Sequence, residues 1–224
     1  SGRASLVWTG SEFGVSWNDE RDGNYEIYFA SLDSSGNKIG SEKRITYSYY
    51  DSIAPSIVWT GSEFGISWSD ERDGNYEIYF IRLDSTGNKI ASDFRVSHAL
   101  EYSSYPSLTW TGSEYGIAWQ DERNEHYEIY FALLDSQGRK IGLDRRVTAH
   151  PSYNPSLIWA EGVYGVSWYD WQDGNPEIYF VRLDPSGSKI GQDIRVTQSL
   201  DGSYYPSLTW TGNEFAISWQ EAED

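Results

Sequence analysis

Trp59–Arg72 reads WTGSEFGISWSDER, and the same wording returns with few changes from Trp8, Trp110, Trp159 and Trp210. Successive tryptophans are 51, 51, 49 and 51 residues apart. A fixed period of that length marks a repeat architecture, in which each copy is one supersecondary unit that buries its apolar face against the next. Within the first copy, Phe13, Val15 and Trp17 alternate with Gly14 and Ser16, the period of two that belongs to a strand. Before them, Leu6–Trp8 is a short apolar strand closed by the turn Thr9-Gly10-Ser11-Glu12.

Working outward, Asn18–Asn24 is a polar turn containing Asp-Gly, and Tyr25–Leu32 is aromatic and β-branched as strands are. Asp33-Ser34-Ser35-Gly36 turns the chain again. Lys38-Ile39 and Arg44-Ile45-Thr46 supply a fourth, more polar strand suited to an outer edge. The link 47–54 is the longest in the repeat, as required where the chain returns from the outermost strand of one sheet to the innermost strand of the next. No segment shows a period of 3.6. The expected fold is all-β, a β-propeller of four-stranded antiparallel blades with four full repeats plus half of a fifth, a five-bladed ring being favoured. Blades are expected at 5–54, 55–105, 106–154 and 155–205, with a partial blade at 206–224, in a single domain 1–224. The last residues, Gln220–Asp224, have lost the repeat pattern. Half a blade leaves an open strand edge, so self-association through the incomplete fifth blade is an expected mode of closure.

The pattern W-x-D-x-R-D-G-N-x-E-I-Y-F-x-x-L-D-x-x-G resembles the tandem propeller repeats of secreted or surface-attached bacterial proteins, and more loosely TolB-like and sialidase-like propellers. The resemblance covers essentially the whole chain and implies a propeller outside the cell or at its surface. Propellers host lectins, hydrolases and docking platforms alike, so it implies no single activity.

Composition narrows the partners. With 17 Lys and Arg against 34 Asp and Glu, the formal charge of −17 repels phosphate backbones and anionic lipid headgroups, so nucleic acid and membrane insertion are not expected. The chain has no Cys, hence no disulfide or thiolate chemistry, and no Met, which reads as a processed piece of something longer.

Asp19, Arg21 and Glu26 recur as Asp70, Arg72 and Glu77, as Asp121, Arg123 and Glu128, and in part as Asp170 and Glu177. Opposite charges so close to a turn can tie neighbouring strands together, and a structural clasp is the expected role. Calcium held by the same oxygens is the competing reading. It is disfavoured because the order is not that of a calcium loop and Arg21 would face the cation; no cofactor and no other metal are expected. Tyr50, Tyr102, Tyr105, Tyr153, Tyr204 and Tyr205 gather on the links beside these turns, where amphipathic rings suit a sugar or an extended peptide. The fourth copy replaces the charged turn with Tyr169 and Trp171, an exposed aromatic anchor.

Paired carboxylates can cleave a glycosidic bond only if their environments differ, and equivalent positions in successive copies have nearly equivalent environments. The expectation is therefore a non-catalytic extracellular module, not an enzyme, with lectin-like glycan recognition at repeated inter-blade sites. The alternative is a protein-interaction or scaffold segment of a larger bacterial surface protein, and a glycoside-active enzyme comes third.

Overall fold

A computed structural model describes residues 2–222. The first blade is β1 (Ala4–Trp8), β2 (Phe13–Asp19), β3 (Glu26–Leu32) and β4 (Lys38–Arg44). The second is β5 (Ser52–Trp59), β6 (Glu63–Asp70), β7 (Glu77–Asp84) and the short β8 (Phe94–Arg95). The third is β9 (Ser103–Trp110), β10 (Glu114–Asp121), β11 (Glu128–Asp135) and β12 (Lys140–Arg146). The fourth is β13 (Ser152–Ala160), β14 (Val163–Asp170), β15 (Glu177–Leu183) and β16 (Lys189–Arg195), and β17 (Ser203–Trp210) with β18 (Phe215–Glu221) forms a two-stranded fifth. Each complete sheet is antiparallel in sequence order, so the chain is a β-propeller.

The blades pack through rings laid on bare backbone. Phe64 of β6 meets Phe29 of β3 at 4.9 Å, and the same pair recurs as Tyr115 with Phe80, Tyr164 with Phe131 and Phe215 with Phe180. A Cβ at Gly65 would stand 2.7 Å from Tyr115, and one at Gly116 would stand 2.6 Å from Tyr164. Only glycine lets the next ring approach that closely, which accounts for the Phe/Tyr-Gly pair in the first four copies; the fifth carries Phe215-Ala216. Trp68, Trp119 and Trp168 are fully buried between blades. Trp17 is half-buried and Trp219 is 43% exposed, a departure from the all-buried set that alternation alone suggests, because Trp17 faces the two-stranded blade and Trp219 lies in it with no third strand beside it among the described residues.

The inner strands start earlier than the Pro residues that seem to open each copy. β5 begins at Ser52, and its ladder with β6 shifts register between Ile53 and Ser56. The residue before each proline, Ala54, Tyr105, Asn154 and Tyr205, has a φ of 50–55°, the left-handed region that costs a non-glycine residue about 1–2 kcal/mol. Proline has no N–H to lose at such a bulge. The freed N–H groups are captured by the preceding blade, Tyr105 donating to Ser69 Oγ and Asn154 to Gln120 Oε1, both at 3.0 Å. One residue further in, a belt of serines crosses from blade to blade: the Ile57, Leu108, Leu157 and Leu208 amides donate to Ser5, Ser56, Ser107 and Ser156.

Candidate functional site

The bulges converge on a hub. A cavity of about 250 Å³ is lined by Arg3, Ser56, Ser107, Asn154, Ser156 and Tyr205, with contributions from all five blades. At its mouth the axial position before the inner-strand serine reads Arg3, Ala54, Tyr105, Asn154 and Tyr205 around the ring. The last position but one of the second strand, which faces these bulges, reads Asn18, Ser69, Gln120, Tyr169 and Gln220. The repeat changes most where its copies meet, so the mouth is one asymmetric site built by a nearly symmetric scaffold.

Arg3 reaches Asn154 Oδ1 at 3.5 Å and lies 5.5 Å from the centre of the Tyr105 ring, and among the described residues no carboxylate pairs with it. The channel walls lower the pKa of its guanidinium, opposed by the Tyr105 and Tyr205 phenols. A cation that meets no carboxylate among the described residues has donors to offer a ligand.

An arc of tyrosines leads away from this mouth. Tyr169 stacks on Tyr153 at 5.3 Å and meets Tyr204 and Tyr205 edge-on. Tyr153 approaches Tyr127 at 5.7 Å, and Tyr102 approaches Tyr76 at 6.2 Å. Burial, then the charges of Asp51 and Glu71, push the Tyr76 phenol up to about 12. Burial, then Glu122, does the same at Tyr127. Burial, then Tyr205, raises Tyr169 to about 12. All three stay protonated donors at neutral pH. Glu122 donates its amide to the Tyr102 carbonyl at 2.9 Å, which holds this carboxylate at the edge of the arc. Beyond it runs a groove of about 430 Å³ lined by His98, Leu100, Glu101, Glu122, Arg123 and Glu125.

The structure thus brings Tyr102, Tyr105, Tyr153, Tyr169, Tyr204 and Tyr205 to one face. Tyr50 lies edge-on to Tyr49 on the first link, and Trp171 stands 48% exposed on the fourth turn; among the described residues neither ring pairs with the arc. Arg3, Asn154, Glu101 and Glu122 were missed. Divergence at one repeat position among otherwise matching copies could have found Arg3, Asn154 and Glu101; Glu122 recurs as Glu20 and Glu71, and no signal in the sequence sets it apart.

The charged turns form two ties in each of the first three blades. Arg72 grips Asp70 with two bonds of 2.8 and 2.6 Å, while Trp68 and Ser52 donate to the same carboxylate at 2.7 and 3.0 Å. Arg123 repeats this on Asp121, and Arg21 pairs with Asp19 in a more exposed setting. Asp170 instead accepts the Gln172 amide at 2.7 Å. Glu26, Glu77, Glu128 and Glu177 are fully buried and belong to a second tie, with Arg44, Arg95, Arg146 and Arg195 of the outer strands. Among the described residues no group of three or more acidic, His or Cys side chains is arranged to hold a metal.

No family model and no curated protein matches the sequence. Solved structures do match its fold. A GH43 endo-arabinanase from Bacillus licheniformis is 12% identical, with a TM-score of 0.55 over 98% of this chain and 88% of that one. An endo-1,4-beta-xylanase from Bacteroides thetaiotaomicron is 12% identical, with a TM-score of 0.60 over 96% and 82%. A neuraminidase-like protein of subtype N10 from A/little yellow-shouldered bat/Guatemala/060/2010 is 13% identical, with a TM-score of 0.63 over 87% and 58%. At such identities the likeness shows the fold alone, a propeller; the TolB-like resemblance is not supported.

These findings correct the expectation of a non-catalytic, lectin-like module. The chains that share the fold include an arabinanase and a xylanase. The premise of equivalent environments also fails, because the axial mouth is not repeated. Repeated inter-blade grooves do occur, lined for example by Phe29, Ile39 and Thr86 and by Phe131, Ile141 and Ser186. They lie at the opposite end of the strands from the tyrosines assigned to glycan binding.

Proposed function

We propose that this propeller acts on polysaccharide, as a glycoside hydrolase at or outside the cell surface. Substrate lies along the tyrosine arc, its hydroxyls meeting Arg3 and Asn154 at the axial mouth, and enters the groove beside Glu122. The observation that carries this reading is the convergence of an arginine with no carboxylate partner among the described residues, an amide and stacked tyrosines on a single mouth beside a carboxylate-lined groove. Sugar C–H faces stack on rings while hydroxyls take the polar groups.

Hydrolysis of a glycosidic bond requires two carboxyl groups in unlike settings. Glu122 is half-buried against the arc and Glu101 is exposed on the link across the groove. Glu122 is assigned to the scissile bond, with Glu101 as the second carboxylate. Release of reducing ends from arabinan and xylan tests this directly. The wild-type chain is expected to release them, and Glu122→Gln to lower kcat by about a hundredfold or more. No release from any polymer, or full activity in Glu122→Gln, would overturn the assignment.

A further inference from the structure

Among the described residues the fifth blade has two strands, and the outer edge of β18 has no strand beside it. In each of the other four blades that edge carries the third strand in one fixed register: Trp17 opposite Tyr28, Trp68 opposite Tyr79, Trp119 opposite Tyr130 and Trp168 opposite Tyr179. The first blade shows the same wedge from its other side. Phe13, which by its place in the repeat should lie under a Phe of the preceding blade, has only Trp8 as a ring neighbour, at 4.6 Å, and Trp8 is 45% exposed. A Cβ at Gly87, Gly138 or Gly187 would strike Phe29, Phe80 or Phe131 of the blade before, whereas the equivalent Gly36 has nothing within 4 Å. Phe13, Trp8 and Gly36 thus form one side of a vacant place, and Trp219, which by its place in the repeat faces the fourth blade, lies at its inner edge; the contacts that fill the equivalent place are built three times over elsewhere in the ring.

We propose that the wedge between the fifth and first blades is an acceptor for a β-hairpin of the repeat's own third-and-fourth-strand type, supplied by another segment carrying that sequence. The hairpin pairs antiparallel to β18 with its Tyr opposite Trp219. Its next residue, a Phe, then lies opposite Ser218 and covers Phe13, and its presence brings an aromatic ring against Gly36. Pairing supplies affinity through main-chain bonds, and the Phe and Tyr pockets supply specificity. A second copy of the described chain fits less well. Its third strands are already engaged in its own blades.

The test adds a synthetic peptide of the sequence Tyr25–Thr46 to the full chain. One peptide is expected to bind per chain, blue-shifting the fluorescence of Trp219, which Trp219→Phe abolishes, and raising Tm by about 5 °C at a large excess over Kd. A peptide carrying Tyr28→Asp and Phe29→Asp should bind at least about tenfold more weakly; because the substitutions are in the peptide, the propeller's own folding is untouched. Absence of binding, equal binding of the substituted peptide, or a concentration-dependent dimer indifferent to peptide would each overturn the proposal.

Discussion

At the residue scale, the clasps are ion pairs whose carboxylate is fully buried and whose arginine is about a quarter exposed, as with Asp121 and Arg123. Arg123 also lies 4.1 Å from the centre of the Tyr130 ring, so the guanidinium is both charge partner and packing element. Arg123→Ala leaves Asp121 buried and short of a cation, and is expected to cost about 3 kcal/mol in urea unfolding. The corresponding Arg21→Ala, at a pair with a 44% exposed arginine, should cost well under half of that. Equal losses at the two positions would show that burial does not set the strength of the clasp. Asp19, Arg21 and their repeats were legible as a tie because opposite charges stood two residues apart. The outer arginines were not, since Arg95 meets Glu77 from 18 residues away and only the strand register brings them together.

At the scale of the element, the alternation of the second strand and the aromatic third strand could be read directly, because both strands are buried on two faces, the large side chains of the second facing one blade and its small ones receiving the ring of the next. The start of the inner strand could not. Proline marks the bulge, and the strand runs through it from Ser52, since the register shift sets the kinked residue aside without ending the ladder. The second-strand glycine is the feature most exposed to substitution. Gly116→Val must displace Tyr164 or open the third blade from the fourth, and a Tm several degrees lower is expected from an overpacking cost of about 1–3 kcal/mol. An unchanged Tm would mean that the blades slide apart freely.

The turns between third and fourth strands respond to acid. Asp84 is held down to about 2, first by the Asn88 amide and further by Thr86, and Asp33, Asp135 and Asp184 are lowered in the same way at the equivalent turns. A carboxylate whose pKa falls on folding stabilises the fold above its unfolded value and loses that contribution as pH drops through the folded one. Stability is therefore expected to decline between about pH 4 and pH 2. Replacing Asp84, Asp135 and Asp184 together by Asn should flatten that decline, as measured by urea titration at each pH.

At the scale of the whole molecule, five spokes meet at one hub, and a scaffold of near-identical copies carries an axial mouth at which no two neighbouring blades present the same residue. The architecture was legible because repetition multiplies every weak local signal. The site was hidden for the same reason, since attention to what recurs passes over Arg3, Tyr105 and Asn154, each of which occurs at its place in one or two blades. The direct measurement is the stoichiometry of oligosaccharide binding, by calorimetric titration of the slowed Glu122→Gln variant with arabino- or xylo-oligosaccharides. One molecule bound per chain, with affinity lost on adding Arg3→Ala, is the predicted result. Four or five equivalent sites, or an affinity indifferent to Arg3, would contradict it.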